Sequence, residues 1–388
     1  MLSMSTLRDV AARAAVSVTT VARVIRGDKY VKPEVQQRVR AAIDELGYVP
    51  NLVARSLRTG REDAIGIAVP EITDSFYAEI IQIVERSARA RGMAIIVTSF
   101  GDDPASEQSA VEALLSRQIV GLISVPVAND QSYLRHWQDR TAMIFIDREP
   151  TGMTADSVVE DDLGGARAAV SHLLGHGHRR IAFLGDPPTV PTAGRRLDGY
   201  AAALREHGRP MDDALIRVGS DVSGDPAETL RVLLDADDAP TAVFSANSRC
   251  SVGIVPALQR MGRSDIGLVS YGDFPMAQAL VPAVTVVDQN PAGLGQFAVE
   301  RLYRRIDTPG LRLRRRTVLP VELLVRESCG TAAPIPVAGH PGTPANDRSS
   351  SASFPPASPV VARPHEPPSH PRVPVMPAHR PCLTKDQS

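Results

Sequence analysis

The chain has few cysteines and few aromatic residues, and it contains no long apolar run. Its three cysteines, Cys250, Cys329 and Cys382, lie far apart and without paired spacing, so nothing supports a disulfide framework or a zinc cluster. No stretch approaches the roughly 18 apolar residues of a membrane span, and the first residues lack the apolar segment of a signal peptide. We expect a cytoplasmic protein with reduced thiols, no membrane contact and no cofactor or metal.

Motifs of common enzyme classes are also missing. No G-x-G-x-x-G follows an apolar strand, no G-x-x-x-x-G-K-[ST] occurs, and no serine lies in a G-x-S-x-G turn. His172, His176 and His178 cluster, but they straddle an expected helix end, where they complement its carbonyl dipole. The sequence favours a binding protein over an enzyme.

Charge is distributed unevenly along the chain. The formal net charge is -1, but residues 1–61 contain 11 Lys and Arg against 5 Asp and Glu, a local charge of +6. The remainder therefore carries -7. This split favours a polyanionic partner for the N-terminal segment, although a solvated charged surface gives the same pattern.

Residues 5–49 predict three short helices. The first opens at Thr6 with Asp9 three residues later, a helix-capping pattern. The third begins with Pro33 in its first turn and ends at Gly47. Two helices joined by a tight turn and supported by a third form a helix-turn-helix domain.

The second of these helices carries residues suited to reading DNA. Ser17 can cap it, and its apolar side faces inward, which exposes four residues near its N-terminal end: Val18, Thr19, Thr20 and Arg23. Arginine donates paired hydrogen bonds to guanine, and valine can contact a thymine methyl. Residues 50–61 hold one short potential helix, which we interpret as a hinge that folds when bound.

From Ala64 onwards, short apolar strands alternate with helices. Uniformly apolar strands indicate parallel sheets covered on both faces, and their number fits two Rossmann-like lobes better than one. The strands are predicted at residues 65–69, 93–97, 121–125, 142–146, 181–185, 241–245 and 266–270. The fold class is thus an all-α head plus a two-lobed α/β core, with a ligand cleft at the carboxyl ends of the strands.

We expect the core to span residues 62–330. Lobe 1 covers residues 62–159 and 289–316, and lobe 2 covers residues 160–288 and 317–330. Residues 331–388 contain 14 of the 32 prolines, a composition that predicts a disordered tail.

Two segments of the head, TLRDVAARAAVSVTTVARVIRGDKYV (6–31) and AAIDELGYVPNLVARSLRTG (41–60), resemble the DNA-binding head and hinge of the lactose-repressor (LacI/GalR) family. The segments HLLGHGHRRIAFLG and LPVELLVRESC resemble that family's effector domain. The resemblance implies a periplasmic-binding-protein-like core and a transcriptional regulator of the repressor type. Ala15 departs from the Gly or Asn usual at its position, which favours positive φ.

The resemblance also implies roles for individual residues in DNA binding. Major-groove contacts fall on the second helix, at Ser17, Val18, Thr19, Thr20 and Arg23. Phosphate contacts fall on Thr6, Lys29 and Tyr30. In the hinge, Leu57 corresponds to a leucine that enters a base step from the minor groove, which Asn51, Ala54 and Arg55 line.

In the core, the resemblance implies an effector site between the lobes for a sugar or nucleoside. Its expected residues follow strand ends: Asp74, Phe76, Tyr77, Asp147, Asp161, Arg196, Asn247 and Asp273. An arginine fork suits a carboxylate, a phosphate or vicinal hydroxyls. Gly272 and Ser248 stand where the family usually has acids, so the effector's identity stays open.

We expect a homodimer, because each recognition helix reads one half-site of a palindromic operator; a tetramer is the alternative assembly. The resemblance implies dimer surfaces around Phe76–Ala90 and Ser106–Leu115. Two other interpretations stay open, an enzyme built on the same α/β core and a solute-binding protein.

Overall fold

The N-terminal head is a three-helix domain. The computed structural model describes residues 5–25, 28, 30–48, 62–219 and 225–330. The head helices are α1 (Leu7–Ala14), α2 (Val18–Ile25) and α3 (Pro33–Leu46). They enclose a small core of buried aliphatic residues: Val10, Ala11, Ala14, Val21, Val24, Val31, Val39 and Ala42.

Capping residues set the limits of these helices as expected. The Thr6 hydroxyl accepts from the amide of Asp9, and the Asp9 carboxylate accepts from the Thr6 amide, which confirms the capping box. Pro33 lies in the first turn of α3, and Gly47 ends that helix with φ of 56°. Ala15 adopts φ of 52° and ψ of 50° at the end of α1. The strained turn predicted at this alanine is therefore present.

Two six-stranded sheets form the core that follows. The first has the order β11-β5-β4-β3-β1-β2 and is parallel throughout. Its strands are β1 (Glu62–Val69), β2 (Ala94–Ser99), β3 (Ile119–Ser124), β4 (Ala142–Ile146), β5 (Asp156–Glu160) and β11 (Arg316–Leu319).

The second sheet has the order β12-β10-β9-β8-β6-β7, with β12 antiparallel to β10. Its strands are β6 (Ile181–Gly185), β7 (Ile216–Val218), β8 (Ala242–Ser245), β9 (Gly267–Tyr271), β10 (Thr285–Asp288) and β12 (Glu322–Leu324). The two-lobed α/β core is confirmed.

Helices pack on these sheets. In lobe 1 they are α4 (Ser75–Ala90), α5 (Pro104–Leu115) and α10 (Pro291–Asp307). In lobe 2 they are α6 (Asp162–Gly175), α7 (Pro191–Glu206), α8 (Pro226–Leu234) and α9 (Ser248–Arg260). Short 3-10 turns occupy Ser132–Trp137 and Asp213–Leu215.

The chain passes between the lobes at three places, after Glu160, after Asp288 and after Leu319. The last crossing lies three residues beyond the expected limit of lobe 1 at residue 316. Strand β11 pairs with β5 as far as Leu319, opposite Glu160. Backbone pairing therefore keeps this segment in lobe 1.

Five short strands escaped the sequence analysis: β5, β7, β10, β11 and β12. Each is short and contains a charged residue, in most cases at one or both ends, as in DSVVE and RTVL. Strand β5 is nonetheless buried along its length, because Arg301 and Arg305 both pair with its Asp156. Ion pairing between distant segments is invisible to a pattern of apolar residues.

We predict that Ala15→Gly stabilises the head. Glycine adopts positive φ without a Cβ clash, and the change removes about 1 kcal/mol of strain. Unfolding of the full-length protein followed by circular dichroism measures the effect. Ala12→Gly is the matched control, because it places glycine within α1 and lowers stability by about 1 kcal/mol. Equal destabilisation by both changes would contradict the role given to Ala15.

Candidate functional site

The N-terminal end of α2 presents a polar surface to solvent. The Ser17 side chain accepts from the amide of Thr20 at 3.1 Å, which confirms its capping role. Ser17 and Thr19 are exposed and Val18 is 41% exposed, whereas Val21 and Val24 are buried on the opposite side. This end of the helix is therefore accessible to a partner.

Arg23 lies one turn further along the same helix and is half-buried. Its Nε donates to the carboxylate of Asp28 at 2.7 Å, and this bond raises the pKa of the guanidinium. A guanidinium carries five N–H donors, so the bond to Asp28 orients the group without using all of them. Asp28 had not been singled out in the sequence.

Of the other residues expected to contact DNA, some lie within the described part of the chain and some lie outside it. The hydroxyl of Thr6 takes part in the cap of α1, and Tyr30 is 89% exposed. The remaining expected contacts lie outside the described residues: Lys29, Asn51, Ala54, Arg55 and Leu57.

A small polar cleft lies between the two lobes. Asp147, Asp186 and Gln289 in its lining directly follow β4, β6 and β10, because parallel strands of both sheets end there. Six of the expected effector residues line it: Asp74, Phe76, Tyr77, Asp147, Arg196 and Asn247. Further lining residues were not expected: Asp102, Arg148, Asp186, Thr192, Ser248, Arg249 and Gln289.

Arg196 is held in this cleft by several contacts at once. Its Nε donates to the buried Asp162 at 2.8 Å, and its Nη1 donates to the carbonyl of Ala246 at 2.9 Å. The guanidinium also lies 4.0 Å from the ring centre of Tyr271. Burial raises the pKa of Asp162, and the charge of Arg196 opposes that rise. The arginine is thus fixed in orientation before any ligand arrives.

On the lobe 1 side, Asp147 holds a second cluster together. It adopts φ of 64° directly after β4 and is buried. The Tyr77 hydroxyl donates to its carboxylate at 3.1 Å, and Arg148 Nε lies 3.3 Å from the same group. Burial, together with the charge of Asp147, raises the pKa of Tyr77. Tyr77 therefore stays a neutral hydrogen-bond donor.

Arg249 connects the two sides of the cleft. Its Nη2 lies 3.1 Å from Asp186 in lobe 2, and its Nη1 lies 4.0 Å from Asp102 in lobe 1. Asn247 donates to the same Asp186 at 3.0 Å. Asp102 and Asp186 follow β2 and β6, and this strand-end position is the signal that could have revealed them.

Two of the expected effector residues lie outside the lining of this cleft. Asp161 is exposed and caps α6 by accepting from the amide of Gly164 at 2.9 Å. Asp273 pairs with Arg326 at 2.6 Å and lines a neighbouring groove. Asp162, one position after Asp161, is the acid that reaches Arg196. A one-residue shift at the start of a helix moves a side chain to another face.

Comparison with known proteins agrees with this arrangement. The model of the bacterial regulatory proteins of the lacI family matches residues 6–51. The model of the periplasmic binding proteins and sugar binding domain of the LacI family matches residues 62–327. The chain belongs to the LacI family.

Individual members of the family align over most of the chain. The ribose operon repressor of Escherichia coli K12 is 31% identical over 82% of this chain and 98% of its own length. The transcriptional repressor PurR of Mannheimia succiniciproducens is 29% identical over 84% and 98%. This chain is accordingly a LacI-family DNA-binding transcriptional regulator.

Solved structures of the family share the fold. The lac repressor dimer bound to operator and an anti-inducer superposes with a TM-score of 0.74 at 27% identity, covering 84% of this chain and 100% of that one. The regulator CelR in complex with cellobiose gives a TM-score of 0.60 at 30% identity, covering 84% and 99%. Within the described residues, no helix has the length and apolar character needed to cross a membrane.

Glu160 of this LacI-family chain is an acidic residue in surroundings that disfavour its charge. It ends β5 at the first crossing between the lobes and is 2% exposed. Among the described residues, neither of its carboxylate oxygens has a hydrogen-bond partner. Burial raises its pKa well above the usual range, Asp147 and Asp162 raise it further, and Arg196 acts in the opposite direction. An ionised Glu160 is therefore unfavourable in the folded protein.

We predict that Glu160→Gln stabilises the protein at alkaline pH. The folded chain keeps its proton to higher pH than the unfolded chain, so stability falls as the pH rises from the usual carboxyl range towards the raised value. The slope in that window is about 1.4 kcal/mol per pH unit. Urea unfolding between pH 4 and pH 8 measures this loss in the wild type and its absence in the variant.

The matched control for this prediction is Glu79→Gln, an equal change of charge at an exposed position. Its stability should follow that of the wild type across the pH range. The assignment fails if Glu160→Gln has the same effect at pH 4 as at pH 8.

Proposed function

We propose that this regulator is a repressor that binds a palindromic operator as a homodimer and responds to a hydroxyl-rich small molecule in the cleft. It acts in the cytoplasm on chromosomal DNA. The observation that carries the proposal is the combination of an accessible polar end of α2 with a cleft whose arginine and acids are already oriented. One sequence thereby holds both a DNA reader and a ligand sensor.

In this proposal the head reads bases with the exposed end of α2. Val18 and Thr19 contact base edges, and Arg23 donates to guanine from the nitrogens that Asp28 leaves available. Thr6, Lys29 and Tyr30 contact phosphates, which position the head without reading sequence. Leu57 enters the minor groove between base pairs, beside Asn51, Ala54 and Arg55. The family relationship supports each of these roles.

The cleft favours a sugar or a nucleoside as effector. Carboxylates, an amide and guanidinium groups line it, and such groups bind hydroxyls by accepting and donating hydrogen bonds. Phe76 and Tyr77 are its aromatic lining residues among those described, which leaves little surface for stacking a large aromatic ligand. The E. coli relative is named for a ribose operon and the CelR structure contains cellobiose, in line with a polyhydroxyl compound.

Gly272 affects which hydrogen-bonding groups the cleft offers to such a ligand. The family usually has an acid at this position, but Gly272 adopts φ of 87°, and a Cβ there would lie 2.9 Å from Oε1 of Gln289. Gln289 lines the cleft, and in the proposed complex it replaces the missing acid as the group that binds a ligand hydroxyl. An amide both donates and accepts, whereas a carboxylate only accepts.

Ligand binding controls the head by changing how the lobes meet. The Asp102–Arg249 pair crosses the cleft at 4.0 Å, a contact that closure of the lobes would tighten and opening would break. A ligand shifts such an equilibrium only by its differential affinity, and a factor of 100 corresponds to about 2.7 kcal/mol. The hinges of both subunits then move relative to each other, which changes the fit of the two heads to the operator.

Selection of bound sequences from a random DNA pool tests the proposal. The full-length protein is used alone and with a panel of sugars and nucleosides. We expect recovery of a palindrome and a change in recovery with at least one compound. Enrichment of no sequence at moderate salt would refute DNA reading by the head, and indifference to the whole panel would refute the assigned effector class.

We predict that Arg23→Ala relaxes specificity at one base pair in each half-site. The loss of a paired guanine contact costs about 1 to 3 kcal/mol at that position. Titration of the selected duplex and of duplexes with single substitutions measures this discrimination. Lys29→Ala is the comparison variant, because loss of a phosphate contact weakens all sequences alike and lowers the salt slope by about one. Equal loss on specific and random DNA for Arg23→Ala would contradict the assignment.

A further inference from the structure

A second concentration of positive charge lies far from the head in the sequence. Residues 301–316, RLYRRIDTPGLRLRRR, contain seven arginines against one aspartate, a net charge of +6 within 16 residues. This equals the net charge of residues 1–61. The core is acidic as a whole, so this segment stands apart from its surroundings.

The topology places these arginines at one edge of lobe 1. Parallel strands all begin at the same edge of a sheet, and β11 begins with Arg316 beside Ser157 of β5. Arg140 lies two residues before β4. Arg304 and Arg305 lie in the last turn of α10, and Arg305 contacts the start of β5 through Asp156. We call this the basal arginine edge and define it by Arg140, Arg304, Arg312, Arg314 and Arg315.

Neighbouring arginines on the same edge are neutralised, but these five are not. Arg301 and Arg305 share the buried Asp156 at 2.9 and 2.7 Å, and Arg316 pairs with Glu149 at 2.7 Å. All five members of the basal arginine edge are exposed, and within the described part of the chain none has an acidic partner. Their charge is thus available to a ligand in solution.

A polar groove runs along this edge. Its lining includes Arg140, Arg305 and Arg315, two threonines and two acids, Asp139 and Asp156. Arg301 and Arg305 neutralise Asp156, so the arginines outnumber the acids whose charge is left. Guanidinium groups bind phosphate oxygens in protein–DNA contacts. The chemistry of the groove therefore fits a phosphodiester backbone.

The same edge receives the chain from the DNA-binding head. Strand β1 begins at Glu62, which pairs with Ile119 at the start of β3, so the entry point and the basal arginine edge share one side of the sheet. Tyr48, the last described residue of the head, is 14 residues before Glu62, a separation of at most about 50 Å along an extended chain. DNA bound by the head is therefore held within reach of this edge.

We propose that the basal arginine edge binds backbone phosphates of the DNA that flanks the bases read by the head. This inference rests on the proposed function, because the head must first hold the duplex. The core then supplies affinity that does not depend on sequence and that falls with salt. One charge per about 1.7 Å of duplex gives such an edge several phosphates to contact at once.

The test compares R312Q/R314Q with R205Q/R260Q in the full-length protein. The control removes two exposed arginines of lobe 2 that likewise have no acidic partner among the described residues. Both variants are titrated with two duplexes that contain the selected operator, one ending at the operator and one extended by about one and a half turns at each end. Affinity is measured at several salt concentrations between 50 and 200 mM.

We expect the wild type to bind the extended duplex more tightly and with a steeper salt dependence. R312Q/R314Q lowers that slope by about 0.9 for each phosphate contact removed, and it weakens binding to the extended duplex on the order of tenfold. It leaves binding to the short duplex unchanged, and R205Q/R260Q behaves as the wild type on both.

Three results would overturn the inference. One is a wild type that binds both duplexes equally, and another is equal salt slopes for the two variants, which would favour an acidic protein as the partner of this edge. The third is equal weakening of R312Q/R314Q on both duplexes, because the effect would then act through the head. These three results can be told apart from a fourth, in which the wild type selects no DNA sequence at all. That fourth result would refute the proposed function itself.

Discussion

Pairwise neutralisation of charges at the carboxyl ends of two facing sheets is the constraint on which the core depends. Arg196 with Asp162, Arg148 with Asp147 and Arg249 with Asp186 each join residues of a single lobe. Removing one partner of a buried pair, such as Arg196–Asp162 or Arg148–Asp147, leaves an uncompensated charge, which typically costs about 3–5 kcal/mol. Arg249 and Asp186 are partly exposed, so their pair contributes less. The polar surfaces of the cleft are therefore rigid within each lobe.

The ion pair that connects the two lobes is weaker than the buried pairs within each lobe. Among the described ion pairs, Asp102–Arg249 crosses the cleft, at 4.0 Å and with both side chains partly exposed. A solvent-exposed pair contributes between 0 and about 1 kcal/mol. Rigid lobes joined by a weak ion pair can change their separation at low cost. A ligand that contacts both lobes across the cleft can therefore determine the distance between them.

Glu160 lies at the first chain crossing between the lobes. It has no hydrogen-bond partner among the described residues, and burial favours its neutral form. A protein built for maximal stability would have an apolar residue at such a site. The buried acid instead keeps the first crossing sensitive to the charges of Asp147, Asp162 and Arg196, of which Asp147 and Arg196 line the ligand cleft.

Sequence patterns revealed the head and most of the sheet framework. The capping box at Thr6, the positive φ at Ala15 and the apolar strands all follow from local rules about backbone and burial. The helix-turn-helix and the two lobes are built from such local features, so the sequence was enough to predict them.

What escaped prediction depends on contacts between distant residues. Strand β5 reads as polar until Arg301 and Arg305 neutralise its Asp156. Asp162 rather than Asp161 faces Arg196, because the start of α6 decides which acid turns inward. Arg249 and Asp102 become part of one site only when two sheets face each other, and no spacing in the sequence records that approach.

The most direct test of coupling between the cleft and the head is to measure it from both sides. Calorimetry of the selected effector binding to the full-length protein is carried out with and without saturating operator duplex. The account predicts that operator changes the affinity for effector by the same factor by which effector changes the affinity for operator. An affinity for effector that is identical with and without operator would contradict it.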